Sequence, residues 1–285
     1  MKNKPLKILF IIIGILLLLS LIITIMESGL SPGKVAIVNI KGVIVDSKQA
    51  IDEIKQYRKD PSIKAIVIRV DSPGGAVVPS QEMYEEIKRT ISVKPVVVSM
   101  GSVAASGGYY ISCPATKIIA NPGTLTGSIG VLIEIPNIKG LLDKIGVKAE
   151  VIKSGRYKDI TSPFKPLQSD EKEVLQRLID DVHEQFIKAV AEGRKIPVEK
   201  VRKIADGRVF TGLKAKELGL VDEIGDLDYA IKVAAQLAKI KGEPEIVTKK
   251  STLLIELLKS DTESLIKKIL PYIQVYYLYS PVLQN

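Results

Sequence analysis

The sequence predicts an α/β protein with a largely parallel sheet, set behind one N-terminal apolar segment. Three observations carry that reading. From Lys34 onward, short apolar runs of strand character alternate with amphipathic helical patterns, the order a βαβ framework with parallel pairing requires. Two of the runs end in glycine-rich turns, DSPGG (71–75) and GSVAASGG (101–108), each leading into a helical stretch. In an open α/β sheet such turns share the edge at which ligands bind. Ahead of all this, Ile8 to Met26 carries no charge.

That opening run, ILFIIIGILLLLSLIITIM, follows Lys2, Lys4 and Lys7. At ~1.5 Å per residue it is about 28 Å long, close to the ~30 Å hydrocarbon core of a bilayer. A cleaved signal peptide is the other reading, but its apolar region is typically ~7–15 residues and ends at a small-x-small site. Here the run is longer and ESGLSPGK follows it. The expectation is a retained single-pass transmembrane helix in the cell membrane, in contact with lipid. Lysines before the span and Glu27 after it place the N-terminus in the cytoplasm and the rest outside. Residues 1–33 then form the cytoplasmic N-terminus, anchor and tether, 34–250 the main domain, and 251–285 a C-terminal amphipathic tail.

Within the domain, KVAIVNIKGVIV (34–45) alternates like a strand, SKQAIDEIKQYRKD (47–60) like a helix, and IKAIVIRV (63–70) like a buried strand. A helix follows DSPGG to about Ile91, and KPVVVSM (94–100) is the next strand. Short apolar pieces lie within 117–135, a strand is expected at VKAEVIK (147–153), and SGRYKDITSPFKP (154–166) has the composition of an exposed connection. Ser169 is placed to cap a long helix whose first turn holds Asp170 and Glu171. Its apolar stripe runs from Leu175 through Val182 and Phe186 to Val190. Residues 206–226 read as strand, helix, strand and turn.

Composition excludes several classes of function. One cysteine, Cys113, and one histidine, His183, in 285 residues rule out an intrachain disulfide framework and a metal centre built from nitrogen and sulfur ligands. No cofactor or metal is expected. The formal charge of +9 is spread along the chain rather than gathered in a basic block, so no nucleic-acid partner is expected either.

The segment Ala104-Ala105-Ser106-Gly107-Gly108 nearly reproduces the strand–turn–helix nucleophile elbow, with Ala104 where the first glycine would stand. Small neighbours permit a tight turn around Ser106, though they also serve close helix packing. A serine opening a helix gains from the positive potential there as it becomes an alkoxide. His183 is a poor base for it, because it lies at the edge of a helix's apolar stripe, where a histidine needs no catalytic role. Ser–Lys pairs are another solution. A lysine acting as base near neutral pH must be shifted down by roughly three units, about 4 kcal/mol of preference for the neutral form, which burial in a dry groove supplies. Lys158, in a loop beside Tyr157, is better placed for that than the helical lysines, although its local sequence also fits a solvated loop. Gly74 and Gly75, after a strand and before a helix, suit an oxyanion hole as well as a turn needing positive φ.

Taken together, RVDSPGG, GSVAASGGYYIS, GTLTGSIGV, SGRYKDITSPF and ADGRVFTGLKAKELGLVDEIG fall in an order that resembles the signal peptide peptidase A family of bacteria and archaea, in its short single-domain form. The likeness runs from about Lys34 to Gly225. It implies a ClpP/crotonase-like fold of repeated ββα units and a membrane-associated serine endopeptidase. By position it implies Ser106 as nucleophile, Lys158 as general base, Ser128 as the residue that orients the lysine, and Gly74 in the oxyanion turn. It also implies peptide substrates, among them remnant signal peptides and other hydrophobic peptides, and a ring-like homo-oligomer in which Lys158 reaches Ser106 of a neighbour.

Two rivals remain at this stage. A crotonase-type acyl-CoA enzyme would share the fold and the oxyanion turn, but it relies on carboxylates near the thioester and has no reason for a membrane span. A non-enzymatic membrane scaffold is opposed by the intact Ser106 and Lys158. The tail after Lys250 has amphipathic spacing and then Tyr272, Tyr276, Tyr277 and Tyr279. It fits packing on its own domain, a neighbour or the membrane surface. It also fits occupation of a substrate groove.

Overall fold

The computed structural model describes residues 12–20, 33–249 and 276–278, the last three as backbone only. Residues 12–20 form helix α1 with exposed side chains. Among the described residues no helix is long and apolar enough to cross a membrane. The remainder of the expected anchor lies outside the described residues, as do 250–275 and 279–285 of the tail.

Strands β1 (Lys34–Lys41), β2 (Ile63–Ser72) and β4 (Val96–Ala105) form the centre of a sheet. Around them lie β5 (Lys117–Ala120), β6 (Leu125–Gly127), β7 (Val209–Thr211), β8 (Glu223–Ile224) and β9 (Glu245–Thr248). The main path is β7-β6-β4-β2-β1-β9, with β5 on β4 and β8 on β5. Every pairing is parallel except β6 with β7. Strand β4 forks: Val97–Ser99 pair with β5, and Val103–Ala105 pair with β6. A separate short ladder joins β3 (Gly74–Ala76) antiparallel to β10 (Tyr276–Leu278).

Helices cover both faces of the sheet, which explains why IKAIVIRV reads as an unbroken apolar run rather than an alternation. On one face Val38, Ile68 and Met100 meet α2 (Lys48–Lys59), α3 (Val77–Ile91), α4 (Gly107–Ser112) and α6 (Ser169–Arg194) through Ile54, Ile87, Ile111 and Phe186. On the other, Val35, Val67 and Val97 meet Ala230 and Ala234 of α9 (Leu227–Leu237). The short helices α5 (Lys139–Lys144), α7 (Val198–Arg202) and α8 (Gly212–Glu217) sit in connections.

Two expectations need correction. Residues 147–153 form no strand, and Val147, Val151 and Ile152 are exposed. An apolar alternation becomes a strand only where it pairs with an edge, and this segment pairs with none of the described strands. The N-cap of α6 is Gln168 rather than Ser169. Glu171 fixes that start by accepting the Gln168 N–H at 3.0 Å, the carboxylate half of a capping box.

Candidate active site

Ser106 sits where β4 hands over to α4, with φ 54° and ψ −118°. Such a conformation is strained for a side-chain-bearing residue and persists only where its surroundings fix it. The Ser106 N–H donates to the Gly127 carbonyl at 2.8 Å, and its own carbonyl accepts the Tyr110 N–H at 2.8 Å. Beneath the corner, the Thr126 hydroxyl donates to the Ala104 carbonyl at 2.7 Å. Ser106 is 1% exposed. The strand–turn–helix geometry is thus that of a nucleophile elbow.

The helix behind the serine is anchored by the rest of GGYYISC. Tyr109 donates its hydroxyl to the Leu220 carbonyl at 2.9 Å. The Tyr110 ring stands edge-on to Phe186 at 5.0 Å and tilted on Tyr84 at 5.2 Å. Cys113 is fully buried, which pushes its thiol pKa well up and makes it a packing group.

The glycine turn meets the corner at close range. A Cβ on Gly107 would lie 2.8 Å from Ser80 Oγ and 3.1 Å from the Gly75 nitrogen, so a side chain there would have to displace the Ser80 hydroxyl and press on the turn. Ile44 binds β3 from one side: its N–H donates to the Gly74 carbonyl at 2.8 Å, and its carbonyl accepts the Ala76 N–H at 2.7 Å. Peptide groups alternate along a strand, so the N–H and C=O of Gly75 face the opposite side. Gly74 has φ 104°, and its N–H donates to Ser72 Oγ at 3.1 Å. Of the two predicted glycines, Gly75 therefore turns its amide outward from Ile44, while that of Gly74 is engaged. Gly107 opens α4, so its N–H has no intrahelical acceptor.

Ser128 follows Gly127, which is the partner of Ala105 across β4 and β6. It too has positive φ, 48°, and its N–H donates to the Arg208 carbonyl at 2.9 Å. The structure thus brings Ser106, Ser128, Gly74 and Gly75 to one end of the sheet. It does not bring Lys158 there. Lys158 is exposed among the turns after Lys153, its N–H donating to the Gly155 carbonyl at 3.2 Å. Among the described residues no hydrogen bond joins its ammonium to Ser106 or Ser128. His183 lies half-buried on α6, with Nε2 buried and unpartnered among the described residues.

Lys158 belongs to an arm, residues 138–167, that turns Leu141, Ile145, Val151, Ile152 and Phe164 outward. The arm closes on itself through the Ile138 N–H and the Pro163 carbonyl at 2.9 Å. Asp159 binds Lys153 at 2.5 Å, and Lys165 pairs with Glu171 at the start of α6. These bonds hold both carboxyl pKa values below their ordinary range.

Two contributors escape sequence reasoning. Ser72 is fully buried and holds the Gly74 amide, and Ser80 donates to the Ala76 carbonyl at 2.9 Å beneath Gly107. A serine two residues before a glycine turn is the pattern that could have marked the first. Among the described residues no group of three or more His, Cys, Asp or Glu side chains could hold a metal ion.

Comparisons with known proteins identify the chain's relatives. The model of peptidase family S49 matches residues 88–241. A putative protease of Synechocystis sp. is 46% identical over 206 residues, 72% of this chain and 74% of that protein. Protease 4 of Salmonella typhi is 42% identical over 73% of this chain, which spans 35% of that longer protein. The putative signal peptide peptidase SppA of Enterococcus faecium is 34% identical over 80% of this chain and 70% of its own length. With the match covering more than half of its residues, the chain belongs to peptidase family S49.

Proposed function

We propose that the chain is a membrane-anchored serine endopeptidase that hydrolyses hydrophobic peptides, including remnant signal peptides, through a Ser106–Lys158 dyad. The observation that carries this reading is Ser106 at a strained, pinned corner with the Gly75 amide aimed away from Ile44 and the Gly107 amide beside it. Neutral Lys158 takes the Ser106 proton, the hydroxyl oxygen attacks the peptide carbonyl, and the Gly75 and Gly107 N–H groups receive the oxyanion. The lysine returns the proton to the leaving amine, and water repeats the cycle on the ester. Ser128 orients the lysine, and Gly74 shapes the turn that presents Gly75.

Lys158 performs this on a neighbouring subunit. The support is its place on an arm whose apolar side chains face outward, a patch of the kind that marks a protein contact. A ring-like homo-oligomer covers the arm and dries the lysine. Residues 1–33 anchor the chain by one span with the N-terminus cytoplasmic, 34–250 form the ClpP/crotonase-like protease domain outside, and 251–285 form the tail. An anchored enzyme meets membrane-bound peptides at high local concentration.

The test is hydrolysis of a fluorogenic hydrophobic peptide by wild type, S106A and K158A across pH. Both variants lose activity, and wild type rises through a basic limb well below a free lysine's titration. Mixing the two inactive variants restores part of the rate, because sharing creates some sites with both intact residues. Activity retained in K158A would overturn the dyad, and no recovery at any mixing ratio would overturn sharing.

A further inference from the structure

The two strands that lead into the site do not run in step. Strands β2 and β4 pair in parallel from Ile66 with Val96 to Val70 with Met100, and again at Ser72 with Ala104. Between those pairs one residue of β2, Asp71, stands against three of β4, Gly101, Ser102 and Val103. Such a bulge bends its strand and re-aims the side chains beyond it. Here it also sets how far β4 reaches. Without the two extra residues Ser106 would stand two positions farther past the glycine turn, about 7 Å at ~3.3 Å per residue. With them, Gly107 comes to lie against Gly74 and Gly75.

A bulge interrupts the ladder, and its backbone groups need other partners. Three side chains supply them. Arg69 Nη1 donates to the Met100 carbonyl at 3.0 Å and to Ser99 Oγ at 2.9 Å. Asp71, two residues on and so on the same face of β2, accepts the Val103 N–H on Oδ1 at 3.1 Å. From the other side of β4, the buried Thr124 hydroxyl donates to the Gly101 carbonyl at 2.8 Å. Gly101 leaves the room that the carboxylate takes, since a Cβ there would lie 2.8 Å from Asp71 Cγ. Asp71 also opens the DSPGG turn, and its own carbonyl accepts the Gly42 N–H at 3.0 Å. One residue thus ties the end of β1, the glycine turn and the strand that carries the serine.

We infer that Asp71 is a positioning residue for the proposed hydrolysis: its side chain, with those of Arg69 and Thr124, locks the β4 bulge that sets Ser106 against the Gly75 amide. The inference rests on the peptidase reading and deepens it by naming what keeps the nucleophile and the oxyanion donors in step. The role needs an acceptor oxygen at residue 71 and no proton transfer. An amide oxygen accepts the Val103 N–H as a carboxylate oxygen does, whereas an aliphatic side chain offers it nothing. When that bond is lost the bulge relaxes and the serine shifts relative to the turn. The shift acts on the attack, so it lowers kcat and leaves KM in place.

The experiment uses the full chain and the fluorogenic hydrophobic peptide, with every assay run below the melting temperature of the variant concerned. Asp71→Ala is expected to lower kcat about 10²-fold, the effect of a misplacement of about 1 Å, with KM little changed. Asp71→Asn is expected to recover most of that rate, with the basic limb of its pH profile where wild type has it. Thr124→Val, which removes the hydroxyl on the far side of the bulge, is expected to lower kcat about tenfold, the size of one hydrogen bond. Wild-type kcat in folded Asp71→Ala would overturn the inference and leave the peptidase reading standing. Equal losses in Asp71→Ala and Asp71→Asn would overturn it as well, and a moved basic limb in Asp71→Asn would assign the charge to the base instead. Should Asp71→Ala fail to fold, wild-type kcat in Thr124→Val, or a large loss in Asp71→Asn, is the overturning result. If wild type itself hydrolyses no peptide, the peptidase reading falls and the inference falls with it.

Discussion

The Ser106 corner and the Lys158 arm are built on opposite plans. At the corner a strained residue is held by backbone bonds to Gly127 and Tyr110, buried, and approached closely by glycines. In the arm, ion pairs and turns hold the chain while apolar side chains point outward. One region is complete within a single chain. The other has the composition of a surface awaiting a cover, and it bears the lysine. On the proposed dyad, the contrast teaches that a chain can settle the position of its nucleophile alone and still leave its base to assembly.

The sharpest way to break the comparison is at the corner. A Cβ at residue 75 would lie 2.0 Å from the Ile44 carbonyl oxygen, so Gly75→Ala must displace β3 and its amide. The expected loss in kcat/KM is about 10³-fold, the size of a lost oxyanion donor, with a lowered melting temperature. Peptide hydrolysis and thermal denaturation check both, and near-wild-type activity would remove Gly75 from the site.

A smaller effect is expected from the arm. Leu141→Asp with Ile145→Asp places charge on its exposed face. Folding stability should stay within about 0.5 kcal/mol, while activity falls about 10- to 100-fold as assembly fails. Sedimentation velocity alongside urea unfolding tells the two apart. A double variant that still assembles and hydrolyses peptide would detach the arm from the base's placement.

The smallest effect is on pH. Asp159, hydrogen-bonded to Lys153, and Glu171, hydrogen-bonded to Lys165, sit below their ordinary values of 3.8 and 4.5. Groups lowered on folding stabilise above their unfolded pKa and cease to do so as pH falls through the lowered folded one. The arm's pairs therefore hold at neutral pH and fade below about pH 4, whereas the bonds pinning Ser106 join neutral amides. Limited digestion by an acid-active protease, stepped from about pH 5 to about pH 3, should cut first within 138–167. First cuts within 96–112 would reverse the ranking.

Much of the framework was legible in the sequence because it depends on local periodicity. The runs 34–45, 47–60 and 63–70 became β1, α2 and β2, and 206–226 became β7, α8 and β8. The elbow at Ser106 was legible because small residues around one serine have few uses. What failed depended on partners. Val147 and Val151 alternate as in a strand but pair with no described edge, and Ser169 yields the cap to Gln168 because Glu171 reaches back. The engagement of Gly74 by Ser72 required knowing that the turn folds over its own serine. The tail's aromatic spacing left packing and groove occupation both open. Its backbone register on Gly75 leaves no mark in side-chain pattern.

Parallel strands joined in sequence ordinarily need a crossover of a dozen or more residues, yet β5 and β6 both run parallel to β4 and are linked by Asn121–Thr124 alone. They can be, because they lie end to end along one side of β4, as a single strand interrupted at Pro122 and Gly123. The interruption gives that side two independent outer borders. The inner one carries β8 and closes the core; the outer one carries β7 and walls the serine. The wall beside the serine and the border that closes the core are therefore held by separate pairings, so that a change in β7 need not disturb the pairing of β5 with β8.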